Sequence, residues 1–136
     1  PEHVERIIEA TGVFPAVNQI ETHPYFQQQD VRDFHIRHGI QLESYSPLGS
    51  GAVLKDKTIA TLAQDHEKSP AQVILRWHMQ EGFVAIPKSV TPERIRQNLE
   101  IFDFELSEAE MNAIRAIDNP ATGRTGSDPA TFNDLY

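Results

Sequence analysis

The sequence predicts an α/β protein built on a parallel sheet, and three observations carry that prediction. Short apolar runs rich in β-branched residues recur at residues 13–20, 40–45 and 83–86. Segments with helical spacing separate them, and turn formers sit at most junctions. Strands alternating with helices in this way are joined by right-handed crossovers into a parallel sheet.

Taken in order, Val4, Ile7 and Ile8 lie at helical spacing before Thr11-Gly12 ends the run. That helical pattern has no cap-and-loop lead-in, so the chain is expected to continue a longer parent upstream. Residues 13–20 then read as a buried strand. Asp30 is expected to cap a short helix whose Val31, Phe34 and His38 share a face, with Gly39 closing it. A strand at 40–45 leads into the kinked loop Ser46-Pro47-Leu48-Gly49-Ser50-Gly51. Residues 58–66 are amphipathic through Ile59, Leu62 and Ala63. Ser69-Pro70-Ala71-Gln72 is a capping box with proline at the first helical position, opening a helix through Trp77 that Gly82 stops. After the strand at 83–86, Thr91 and Pro92 start a helix toward Leu99. Ser107-Glu108-Ala109-Glu110 caps a last helix, with Met111, Ile114 and Ile117 inward and Asp118 at its end, followed by an irregular tail. Three strands form a small open sheet or belong to something larger.

Composition bounds the function. The 136 residues fit one domain, with 39% hydrophobic and 24% charged residues. A net charge of −8 opposes any sequence-independent grip on nucleic acid or on an anionic membrane, so an anion site must be local. No apolar run approaches the roughly 20 residues a spanning helix needs, and no signal peptide opens the chain, so a cytoplasmic protein is expected. Without cysteine there is neither a disulfide framework nor a thiolate site. The histidines show no metal spacing with carboxylates, and His35 and His38, three apart, lack a third ligand, so no metal is expected.

The stretch richest in chemistry is Lys88-Ser89-Val90 between the third strand and the helix beginning Thr91-Pro92-Glu93-Arg94. A helix start offers unpaired amides and a positive dipole end, and Lys88 and Arg94 add two mobile cations, which suits a phosphate. The same residues also read as solvated surface charges on an ordinary capped helix. Tyr45 ends a strand where parallel α/β folds place ligands; it could stack on a planar ring, or be a core tyrosine before a tight turn. Gln19 is expected at its strand's end as a buried amide that needs partners, structural or from a ligand. His23 reads as part of the strand end and not as a catalyst.

Three segments then occur in one order. Val17-Asn18-Gln19-Ile20-Glu21-Thr22-His23-Pro24-Tyr25, Glu43-Ser44-Tyr45-Ser46-Pro47-Leu48-Gly49-Ser50 and Ile86-Pro87-Lys88-Ser89-Val90-Thr91-Pro92-Glu93-Arg94-Ile95-Arg96-Gln97-Asn98 resemble successive motifs of the aldo-keto reductase family. The resemblance covers nearly the whole chain and is closest to the bacterial branch with 2,5-diketo-D-gluconate reductases. It implies the C-terminal part of a (β/α)8 barrel, with residues 1–136 a portion of that single domain and the N-terminal strands absent. It implies NADPH as cofactor and a small carbonyl compound as substrate, reduced from aldehyde or ketone to alcohol by hydride transfer. By resemblance Gln19 would bond the nicotinamide carboxamide, Tyr45 would stack on its ring, and Ser46, Leu48 and Ser50 would follow the pyrophosphate. Lys88, Ser89 and Arg94 would hold the 2′-phosphate and Asn98 the adenine. Gln97 stands where many members carry Glu, as an acceptor for the adenine amine.

The family's catalytic Tyr, Lys, Asp and His come from its first four strands, so the resemblance implies no catalytic residue here. Tyr25, Tyr45 and Tyr136 do not match the acid's context. The isolated chain is then expected to be inactive, and its partner would be the N-terminal half of the same barrel. A non-catalytic half-barrel that only binds nucleotide is the alternative. The tail around residues 124–132 would help line the substrate pocket, and the sequence does not say which carbonyl compound enters it.

Overall fold

The computed structural model describes residues 1–132; Tyr136 lies outside the described residues. Three parallel strands, β1 (Val17–Glu21), β2 (Gln41–Tyr45) and β3 (Val84–Ala85), form one open sheet in the order β1-β2-β3. Val17 pairs with Gln41 and Glu21 with Tyr45, so the last residues of β1 and β2 stand side by side. The α/β class with alternating helices is as expected, and the outer strands are left as open edges.

Six helices accompany the sheet among the described residues: α1 (Glu2–Thr11), α2 (Gln29–His38), α3 (Lys57–Asp65), α4 (Pro70–Gln80), α5 (Pro92–Leu99) and α6 (Glu108–Arg115). Both expected capping boxes form. Ser69 accepts from the Gln72 amide and Ser107 from the Glu110 amide, each with the reciprocal bond back. Asp56 caps α3 by accepting from Thr58 and Ile59. The main core packs Ile59, Leu62, Val73, Ile74 and Trp77 of α3 and α4 against Leu42 and Phe83 of the sheet and Met111 and Ile114 of α6. Trp77, wholly buried, meets Phe83 edge to face at 6.0 Å. Val4, Phe34 and Ile40 make a smaller second cluster.

Several local expectations are corrected. The first strand begins only at Val17; Val13 and Phe14 lie exposed in the lead-in, because the sheet offers no partner to the chain before Ala16. α2 starts one residue before Asp30, after Gln28 in a left-handed conformation (φ 50°), and no side chain caps it. Its buried face is Arg32, Phe34 and His35, whereas His38 lies at the surface, where its ring meets Phe34 at 4.5 Å and Phe14 at 5.7 Å. Ile7 is half exposed while Val4 is buried. The third strand shrinks to two residues. α6 ends at Arg115, and Asp118 instead accepts from the Gln27 amide at 2.9 Å.

Candidate functional site

The segment from β3 to α5 forms one wall of a cleft of about 300 Å³. Lys88, Ser89, Arg94, Gln97 and Asn98 line it from that side, and Leu48 and Leu54 from the loop after β2. Ser69, Pro70 and Ala71 at the start of α4 complete it. Two helix N-termini, of α4 and α5, therefore open onto one space, and no Asp or Glu lines it. Their amide ends and dipoles favour an anion there. Lys88 and Arg94 are exposed, and neither enters an ion pair among the described residues, which leaves both side chains able to turn onto a ligand.

The start of α5 differs in detail from the sequence reading. Thr91 occupies the cap position without a side-chain bond, and the Ser89 hydroxyl accepts from the Thr91 amide at 3.3 Å instead. Ser89 thus shapes the turn ahead of the helix. Gln97 donates to Glu93 at 3.1 Å, so its amide oxygen stays available at the cleft.

Of the ten residues singled out from the sequence, Leu48, Lys88, Ser89, Arg94, Gln97 and Asn98 meet in this cleft. Gln19 and Tyr45 lie in β1 and β2, and Ser46 and Ser50 in the loop after β2, none of them among its lining residues. Gln19 is a correction: it is exposed, in the middle of β1, and donates to Glu43, its ladder partner on β2, at 2.5 Å. Its side chain points to the face of the sheet that no helix covers, which is why it is not buried. Ser46 and Ser50 both adopt positive φ, 50° and 51°, and with Gly49 and Gly51 they kink the loop after β2. Between them Gly49 (φ +53°) is packed so closely that a β-carbon would stand 2.6 Å from Val53 and 3.2 Å from His23 Nδ1.

A second cluster, at the C-terminal ends of β1 and β2, escaped the sequence reading. Glu21 is only 2% exposed, and its carboxylate accepts from the Thr125 amide (2.7 Å), the Thr125 hydroxyl (2.5 Å), the Gly126 amide (2.9 Å) and His23 Nε2 (3.1 Å). Burial pushes the Glu21 pKa up, yet these donors outweigh burial and hold the carboxyl below its usual value. Burial pushes the His23 pKa down against the pull of Glu21 and Asp118, so the ring is neutral at pH 7 and gives its one proton to Glu21. Tyr45 is half-buried beside this cluster. Burial raises its hydroxyl pKa, the Glu21 charge pushes the same way, and Arg124 opposes. A glutamate in a strand reads as a surface residue, and apart from His23 its partners lie 104 and 105 positions away, so the local sequence does not mark it as buried.

Comparison with known proteins identifies the family of the chain. A profile of the Aldo/keto reductase family matches residues 1–119. An aldo-keto reductase of Mycolicibacterium smegmatis is 52% identical over 134 residues, covering 98% of this chain and 48% of that protein. The methylglyoxal reductase DkgA of Escherichia coli is 45% identical over 132 residues, covering 96% and 47%. Among solved structures, a variant of Gox0644 in complex with NADPH superposes with a TM-score of 0.94 at 51% identity, covering 98% of this chain and 49% of that one. A structure provisionally described as a 2,5-diketo-D-gluconic acid reductase B gives a TM-score of 0.83 at 34% identity, covering 93% and 46%. The chain spans about half the length of the relatives it matches.

Proposed function

Since the chain belongs to the aldo/keto reductase family, we propose that it forms the cofactor-holding C-terminal portion of a single barrel domain in an NADPH-dependent carbonyl reductase. The observation that carries this reading is the cleft between α4 and α5. In a chain of net charge −8, two cations without ion-pair partners among the described residues meet two helix starts in a space no carboxylate lines. That chemistry fits a phosphate monoester, and Lys88, Ser89 and Arg94 would hold the 2′-phosphate that distinguishes NADPH from NADH. Gln97 and Asn98, with amide groups at the same cleft, suit the adenine, and Leu48 with Ser46 and Ser50 the chain of phosphates leading to the sheet. Tyr45, at the end of β2, offers a ring face to the nicotinamide, and Gln19 offers an amide beside it on the uncovered face. When bound, the cofactor would supply the hydride for a small carbonyl substrate.

The family's general acid and its partners are assigned to the half of the barrel that precedes these motifs, so this chain contributes binding and orientation, and the N-terminal half would be its partner. Proton donation by a positioned group is worth about 10²- to 10⁴-fold, so the 136-residue chain alone should give no measurable turnover. Titration with NADPH and NADH, followed through Trp77 fluorescence and calorimetry, tests the reading. NADPH should bind at least about tenfold more tightly, and more weakly as salt rises. Equal affinity for the two, or aldehyde reduction by the pure chain, would contradict it.

A further inference from the structure

The Glu21 cluster does not line the cofactor cleft, yet at the C-terminal end of β1 it joins the strand ends to a segment from far along the chain. Residues 119–126 cross the C-terminal ends of β1 and β2 and are laced to the loop after β1. The Asn119 amide donates to Tyr25 O at 3.0 Å, the Arg124 guanidinium lies 4.6 Å over the Phe26 ring, and a β-carbon on Gly123 would stand 1.8 Å from Tyr25 O. The lacing ends at Glu21, whose two oxygens take the amides of Thr125 and Gly126. Beyond it stands Tyr45. A β-carbon on Gly126 would lie 2.7 Å from the Tyr45 hydroxyl and 3.1 Å from Glu21 Oε2, so ring, carboxylate and backbone crowd around a glycine with no room for a side chain.

We propose that Glu21 is a positioning residue, which fixes the Tyr45 ring and the 125–126 backbone against one another and so sets the height and tilt of the platform on which the nicotinamide lies. The inference rests on the reading of Tyr45 as that platform. The chemistry explains why the residue is a carboxylate. Four donors converge on it, two amides, one hydroxyl and one imidazole N–H, and only a group that accepts at both oxygens satisfies them all. An amide of the same shape would turn an NH2 toward at least one of these donors and leave it unpaired in a buried place. Glu21 also faces Tyr45 in strand register, so the carboxylate and the phenol belong to adjacent strand ends and move with the sheet. The segment that lies over them is thereby tied to the same frame.

Glu21→Gln tests this with two ligands. By that reading NADPH would span the α5 cleft and Tyr45, whereas adenosine 2′,5′-bisphosphate would occupy only the cleft. The variant should weaken NADPH about tenfold and leave the bisphosphate within about twofold of the native chain. Gly126→Ala, whose β-carbon would meet the Tyr45 hydroxyl first and Glu21 Oε2 next, should give the same pattern by pushing that hydroxyl aside. Equal weakening of both ligands would mean general loosening and overturn the proposal. So would unchanged NADPH affinity, or a native chain that binds NADPH no more tightly than the bisphosphate. Two further measurements need no cofactor: the ionisation of Tyr45, isolated by difference from Tyr45→Phe, and tryptic cleavage after Arg124. In Glu21→Gln the Tyr45 midpoint should fall toward the ordinary tyrosine value and cleavage should quicken about tenfold. If the native chain binds neither ligand, the cofactor reading fails, and an unmoved Tyr45 midpoint with unchanged cleavage would separately sink the role of Glu21.

Discussion

His78 offers a quantitative test of how the fold is held. It sits in α4, wholly buried, with Nδ1 2.8 Å from Ile74 O and Nε2 3.1 Å from Thr22 O. Burial pushes the pKa from 6.5 to about 4, outweighing the two carbonyls, which favour the charged ring. A neutral ring carries one proton, so it serves one carbonyl as donor at a time. The unfolded chain binds a proton as pH falls through 6.5 and the folded chain refuses it until about 4. The stability this represents is complete above 6.5 and is lost as pH falls toward 4. Roughly 2.5 decades of proton affinity at about 1.36 kcal/mol each amount to about 3 kcal/mol, a sizeable part of the about 5–15 kcal/mol that holds a typical domain. Burial also lowers the pKa of His23 and His35, which adds to the loss in the native chain. His78→Gln removes only the His78 share. Urea unfolding followed by Trp77 fluorescence at a series of pH values should show a shallower acid loss in the variant, by about 2–3 kcal/mol across the range. Parallel curves for the two proteins would refute the assignment of the acid loss to His78.

Three further outcomes follow from the same contacts. Arg94→Ala should weaken adenosine 2′,5′-bisphosphate about 10- to 100-fold by calorimetry, as expected for loss of a charge-assisted contact, and should leave NADH affinity nearly unchanged. Gly49→Ala places a β-carbon 2.6 Å from Val53 at φ +53° and should cost about 1–3 kcal/mol in thermal or urea unfolding; a neutral result would show that the loop after β2 can relax. Ser107→Ala removes the α6 cap and should cost about 1 kcal/mol with no change in nucleotide affinity, since α6 does not line the cleft.

The sequence made legible what is encoded locally. The capping boxes at Ser69 and Ser107 are four-residue patterns whose bonds close within the pattern, and both form as read. The α5 wall of the cleft was legible for the same reason, because Lys88, Ser89 and Arg94 are near neighbours in the chain. What escaped depends on distant partners or on backbone conformation. Asp30 reads as a cap, but Gln28 is left-handed and the helix begins right after it, at Gln29. Gln19 looked buried because the run around it is apolar, yet it lies on the face of the sheet that the helices leave open. Ser69, Pro70 and Ala71 were recognised as a helix start, and only folding brings that start against α5. Glu21 is the extreme case, a carboxylate whose burial is decided by residues more than a hundred positions downstream.

The central claim is that the space between α4 and α5 is a 2′-phosphate site, and amide chemical-shift mapping with adenosine 2′,5′-bisphosphate tests it most directly. Saturable shifts confined to Lys88, Ser89, Val90 and the first turns of α4 and α5, lost in Arg94→Ala, are the expected result. Saturable shifts clustered elsewhere on the chain, or none at millimolar ligand, would contradict it.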